Sequence, residues 1–247
     1  MPSVQQLVDE RAAATGFSGV VQLARGGETV LAAAYGLADR AHGVPVTLDT
    51  QFGTASVTKG FTALVMLRLI EHGVLHLDTA ARALLRDDLP LVDDEVTVEH
   101  LLAHRSGIGD YLDEDALGDI TDYVMPVPVH RLASTEEYLP ALDGHPQVSR
   151  VGEAFRYNNA GFVILALLAE RATGEPFPDL VHRLVCEPAG LADTAFLRTD
   201  ELPGRAAVGY LSTDSARTNA LHLPVLGSGD GGLYSTAADL HRLWTAL

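Results

Sequence analysis

Apolar and polar positions recur along this chain with two different periods, and the changes of period mark its elements. Residues 3–14, "SVQQLVDERAAA", space their apolar positions like one face of a helix. "FSGVVQLARGGETVLAAAYG" then reads as two strands around Gly26-Gly27, a hairpin signal. "HGVPVTLDTQFG" is a loop punctuated by Pro and Gly. Helical spacing returns from Val57 to Glu71, with "HG" at 72 and 73 as its stop. "TVEHLLAH" predicts a short helix ending before Arg105-Ser106-Gly107. Residues 107–133 are irregular and acidic. "STEEYLPAL" predicts a capped helix, with Ser134 and Glu137 in capping-box register. The most apolar helix runs from Asn159 to Thr173 and stops at Gly174. "PFPDLVHRLVCEPAGL" predicts another, 192–235 reads mostly as loop, and "STAADLHRLWTAL" opens a last helix behind a Ser/Thr cap. Only two strands are legible. A lone hairpin is marginal in water, so its alternating apolar face calls for a larger sheet.

Composition narrows the class of protein. With 247 residues, 47% hydrophobic and 20% charged, the chain can bury a substantial core. Its formal net charge of −16 disfavours polyanionic partners, nucleic acid and anionic membrane surfaces alike. The N-terminus lacks the basic and apolar regions of a signal peptide, and "GFVILALLA" is too short to span a bilayer. The expected location is therefore the cytoplasm. A single cysteine, Cys186, rules out an internal disulfide and reads as a small buried hydrophobe.

One residue breaks the compositional pattern. Lys59 is the only lysine, and the other 16 basic residues are arginine. It lies three positions after Ser56 at the head of an apolar helix, a spacing that puts both side chains on one face. A serine hydroxyl is a weak nucleophile without a base. Arginine stays protonated and cannot be that base; lysine can, where burial or a neighbouring positive charge lowers its pKa. By itself Ser-x-x-Lys reads equally as a capping serine and a solvated lysine. A second constellation, Tyr157 and Asn159 in "RYNNAGF", sits before the apolar helix. There a phenol can act as a general base and an amide can hold a substrate carbonyl. Taken alone, it also reads as an N-cap asparagine beside a core tyrosine.

The segments together resemble one family. "FGTASVTKGFTALVMLRLIEHGVLHLD", "VTVEHLLAHRSGI", "GEAFRYNNAGFVILALLAERATGEPF" and "GDGGLYSTAADLHRLW" are similar, in order, to motifs of the serine β-lactamase and penicillin-binding-protein superfamily. The nearest likeness is to its class C β-lactamase and family VIII esterase branch. The resemblance covers about residues 17–247. It implies an α+β fold of the β-lactamase/transpeptidase type, in which an all-α region joins an antiparallel sheet flanked by helices. It implies that Ser56 is the acylated nucleophile, that Lys59 activates it, that Tyr157 relays protons and that Asn159 orients substrate. Substrates would be small esters, β-lactams or D-amino-acid amides and peptides, with no cofactor and no metal. The expected organisation is a single unit over 1–247: an N-terminal helix and hairpin (1–50), a mainly helical region carrying the motifs (51–235), and the start of a helix returning to the sheet (236–247). The family's third motif, a Lys- or His-led strand beyond the Gly-rich turn, has no counterpart here. The sheet is thus expected to be incomplete, with self-association or a completing C-terminal segment as partner.

Other patterns carry less. His100 and His104 stand at i, i+4 beside Glu99, but the order is not that of a zinc protease. "GSGDGG" (227–232) lacks the Lys-Ser/Thr of a phosphate loop and reads as a turn near the site. The acidic runs "RDD", "VDDE" and "LDEDALGD" lack calcium-loop spacing. No Gly-x-Ser-x-Gly elbow occurs.

Overall fold

The computed structural model describes residues 2–114 and 118–247. Asp115, inside the acidic run "LDEDALGD", lies outside the described residues. Helix α1 (Val4–Thr15) is closed at both ends by local chemistry: Ser3 and Gln6 form a reciprocal capping box, and Gly16 ends it at φ 62°. The hairpin follows as β1 (Gly19–Arg25) and β2 (Glu28–Tyr35), antiparallel, with Arg25 opposite Glu28 across the Gly26-Gly27 turn. A bulge at Leu23/Ala24 shifts its register. Short strands β3 (Leu37–Asp39) and β4 (Val44–Pro45) pair with each other. Then come β5 (Phe52–Gly53), α2 (Thr58–Glu71), α3 (Ala81–Leu85) and α4 (Val98–Leu102). They are followed by α5 (Leu139–Leu142), α6 (Asn159–Thr173), α7 (Phe177–Val181) and α8 (Glu187–Ala189). The chain closes with β6 (Ala195–Phe196), β7 (Leu233–Ser235) and α9 (Ala237–Ala246).

Helix α6 is the axis of the molecule. Every residue from Asn159 to Ala169 is buried, which is why its sequence is apolar all round rather than on one stripe. It packs against α2, α3, α4 and α7, and the main core gathers around it, including Phe61, Met66, Leu101, Leu165 and Phe177. On the other side the hairpin is held by Tyr35, which donates to Asp9 of α1 at 2.6 Å, and by α9 lying against β1. The mixed helix and antiparallel-sheet class expected from the sequence is the one observed.

Three local readings need correction. Residues 134–142 do not form one capped helix. They make a 3-10 turn (Glu136–Tyr138) followed by the four-residue α5. Pro140 has no N–H to give Glu136, so the helical ladder restarts there. Glu137 instead accepts from the Ala133 N–H at 3.0 Å and the Ser134 hydroxyl at 3.2 Å. Second, 192–235 is mostly loop as read, but it also holds two short strands, β6 and β7, that make a three-stranded sheet with β5 in the order β5-β7-β6. Segments of two or three residues carry no readable period. Third, 176–191 is helical but interrupted by a wide π turn at His182–Cys186 between α7 and α8. Cys186 is buried there, and burial pushes its thiol up to about 12, as expected of an inert core cysteine.

Candidate active site

Ser56 is presented by a strained, stapled turn. β5 delivers the chain beside β7, with Phe52 opposite Ser235 and Gly53 opposite Tyr234. The Thr54 N–H and hydroxyl both donate to the Leu233 carbonyl, at 2.8 and 2.7 Å. Ala55 then takes φ 47°, a left-handed conformation that costs a non-glycine residue roughly 1–3 kcal/mol. The 3-10 turn Ala55–Val57 runs straight into α2. Thr58 locks it by donating to the Ala55 carbonyl at 2.7 Å while accepting the Leu233 N–H at 3.1 Å. The result is an exposed Ser56 above a buried first turn of helix.

Lys59, one turn further on, is only 7% exposed. A buried ammonium is costly unless each proton finds an acceptor. Here the three are Ser56 Oγ at 3.1 Å, Asn159 Oδ1 at 2.8 Å and the Asp230 carbonyl at 2.7 Å. The ring of Tyr157 lies 4.8 Å from Nζ and that of Phe162 5.7 Å, adding cation–π attraction. Tyr157 donates its own hydroxyl to Ser56 Oγ at 2.7 Å. Ser56 Oγ therefore accepts from both Tyr157 and Lys59, which leaves its proton directed away from them.

All four residues singled out in the sequence meet at this point. Asn158, not Asn159, is the N-cap of α6, accepting the Gly161 N–H at 2.7 Å. That frees Asn159 to turn into the site, and Tyr157 is half-buried rather than a core residue. The Asn159 amide is fully engaged: its nitrogen donates to the Leu112 carbonyl at 2.8 Å and to Glu114 at 3.2 Å. Asp110 receives the Asn159 and Ala160 N–H groups at 2.6 and 3.0 Å, a carboxylate on the positive end of α6.

The Gly-rich stretch 227–232 is a turn at the site, as its composition predicts. Ser228 N–H donates to the Gly231 carbonyl at 3.0 Å, and the Gly229 carbonyl accepts the Thr62 hydroxyl at 2.6 Å. The sequence reading missed Asp230 itself. Its carbonyl holds Lys59 and its carboxyl, buried below, accepts the Tyr111 hydroxyl at 2.6 Å. Burial raises the Asp230 carboxyl above its ordinary range, outweighing the opposing pull of Lys59 and of the Tyr111 hydrogen bond. A raised folded-state value means stability present at low pH is lost as pH rises through it. Asp230→Asn keeps an acceptor for Tyr111 and cannot ionise, so urea unfolding should show it gaining on wild type as pH rises above the ordinary carboxylate range of about 4. Asp230→Ala leaves the buried Tyr111 hydroxyl unpaired and should cost about 1–3 kcal/mol.

The serine opens onto a cleft of about 480 Å³, within the usual size for small-molecule sites. Five of the chain's seven tyrosines line it (Tyr111, Tyr123, Tyr138, Tyr210 and Tyr234), giving apolar walls with polar tips. A separate groove between α1 and β1, lined by residues such as Leu7, Val8 and Phe17, contains none of this chemistry. His100 and His104 use their Nδ1 atoms on different backbone N–H groups, those of Thr97 and Asn158. No set of three or more metal-ligating side chains converges among the described residues. No helix among them is long and apolar enough to cross a membrane.

The Beta-lactamase family model matches residues 4–247. The chain is 37% identical over 206 residues to the esterase EstB of Burkholderia gladioli, covering 77% of this chain and 49% of that protein. It is 28% identical over 246 residues to penicillin-binding protein 4* of Bacillus subtilis (strain 168), covering 94% and 52%. It thus spans about half the length of these curated relatives. Among solved structures, a penicillin-binding protein from Bacillus halodurans superposes with a TM-score of 0.90 at 36% identity, over 97% of this chain and 73% of that one. The β-lactamase/transpeptidase-like fold is common to both molecules, and the chain belongs to the Beta-lactamase family.

Proposed function

We propose that the protein is a serine hydrolase that works through an acyl-enzyme on Ser56, with small esters, β-lactams or D-amino-acid amides as substrates. The observation that carries this reading is the double contact on one oxygen: Ser56 Oγ lies 3.1 Å from the only lysine and 2.7 Å from a phenol. The forward step starts from the uncharged Lys59 amine with the Ser56 hydroxyl turned toward it: Ser56 Oγ bonds to the substrate carbonyl carbon while its proton passes to Lys59 Nζ. The tetrahedral centre then breaks its bond to the leaving group, which takes a proton through Tyr157. Water repeats the sequence on the ester so formed, and Ser56 regains its proton. Asn159 holds the Lys59 amine through Oδ1 at 2.8 Å and orients substrate, for which Glu114 must yield one amide hydrogen. The name of the esterase relative supports ester substrates, and that of the penicillin-binding relative supports β-lactams. We read 1–247 as one unit of this kind, with a completing segment or a second copy supplying the rest of the sheet.

The test is covalent labelling of the full chain with a fluorophosphonate and a fluorescent penicillin, read by intact mass. Wild type should gain one adduct and Ser56→Ala none. Equal labelling of the two would remove Ser56 from the mechanism.

A further inference from the structure

We propose that His104 is a positioning residue whose task is to clamp the Tyr157 phenol onto Ser56. This gains catalytic meaning from the reading above, but its geometry stands independently.

His104 closes the turn after α4 and sits at φ 54°, a left-handed conformation rare outside glycine. That twist lets one residue meet the chain on both sides of Tyr157. Its carbonyl accepts the Arg156 N–H at 2.8 Å, and its ring Nδ1 accepts the Asn158 N–H at 3.0 Å. The residues before and after Tyr157 are thus tied to the same histidine. The imidazole also lies against the Tyr157 ring, centroids 4.8 Å apart and planes 31° from parallel. Phe162 of α6 backs it at 4.8 Å and 32°, and Phe155 meets it edge-on at 5.7 Å. Backbone and ring of Tyr157 are both set by one residue, through its carbonyl and its imidazole.

The clamp extends along the neighbouring backbone. The Gly152 N–H donates to the Arg105 carbonyl, and the Val148 N–H to the Gly107 carbonyl, both at 2.8 Å. The segment "HRSG" is therefore zipped to the segment that carries Tyr157. Because Nδ1 is an acceptor here, the ring proton belongs on Nε2 and the imidazole is neutral. It acts as a template rather than as a charge. Misplacing a reacting group by about 1 Å can cost about 10²-fold in rate, which is the scale on which such a clamp matters.

Two variants separate the parts of the clamp. His104→Phe keeps a ring against Tyr157 but removes the acceptor for Asn158. His104→Asn offers a carbonyl oxygen in place of Nδ1 and removes the stacking. The readout is the second-order rate of fluorophosphonate labelling, measured in the wild-type and Tyr157→Phe backgrounds. His104→Phe should slow labelling about 10–100-fold in wild type and by no more than about threefold once Tyr157 is already phenylalanine. His104→Asn should recover part of the loss. Equal losses in both backgrounds, or none in either, would overturn the proposal, because a general structural role does not act through Tyr157. A second measurement needs no activity: the ¹³Cζ resonance of Tyr157 should shift in folded His104→Phe, and an unchanged resonance also overturns it. If wild type fails to label at Ser56, the proposed function falls while the resonance still decides the clamp.

Discussion

Lys59→Arg should slow acylation of Ser56 by about 10²–10⁴-fold, although the charge is kept. The substitution separates two roles. If Lys59 served only as a fixed cation beside the developing alkoxide, a guanidinium would replace it at modest cost. If it takes the serine proton, arginine cannot, because it stays protonated at any working pH. The socket adds to the effect. Three acceptors, on Ser56, Asn159 and Asp230, surround a compact ammonium that is almost fully buried. A planar fork cannot point donors at all three. Labelling kinetics with a fluorophosphonate, alongside thermal melting to establish folding, give the answer. A folded Lys59→Arg protein that labels at the wild-type rate would refute the role of base.

Gly229→Ala should damage the site from a distance. A Cβ at Gly229 would fall well inside contact distance of the Phe162 carbonyl and would press on the Ala166 side chain. Both belong to α6, which is enclosed by core on every side and cannot retreat. The turn must move instead. It carries the Gly229 carbonyl bonded to Thr62 and the Asp230 carbonyl bonded to Lys59. Overpacking of this kind costs about 1–3 kcal/mol, and a shift of the Asp230 carbonyl takes away one of the lysine's three acceptors. Expected results are a melting temperature several degrees lower and slower labelling of Ser56. Gly204→Ala is the control, since nothing lies within 4 Å of a Cβ built there. Equal stability of the two variants would show that the turn is not pinned against α6.

Much of this was written locally. The span of α6 follows from its apolar run between Asn158, whose side chain caps it, and Gly174 at φ 76°. The hairpin follows from Gly26-Gly27, which take φ 58° and 84°. The pairing of Ser56 with Lys59 follows from helical geometry over three residues. Other features had no local signature. β5, β6 and β7 are two or three residues long, so no period reveals them, and they exist because each completes its neighbour's hydrogen bonds. Asp230 looked like one more residue of a glycine-rich turn. His104 stood out only as an i, i+4 histidine without a zinc-protease order, and nothing local shows that its carbonyl and its ring Nδ1 both serve the backbone around Tyr157. Tyr111, which holds Asp230, lay within a stretch that composition marked only as irregular.

By itself the sequence determined most of the helices, the hairpin, the net charge of −16 and the placing of Ser56 one helical turn from the only lysine. Each of these depends on residues within a few positions of one another, or on composition. Only the tertiary structure decided what that amine is bonded to. Lys59 reaches Asn159, 100 positions away, and the carbonyl of Asp230, 171 away, while Ser56 meets Tyr157 across 101. Those distances close because α6 and the 227–232 turn pack onto α2, and packing is a property of faces and volumes that no local period encodes.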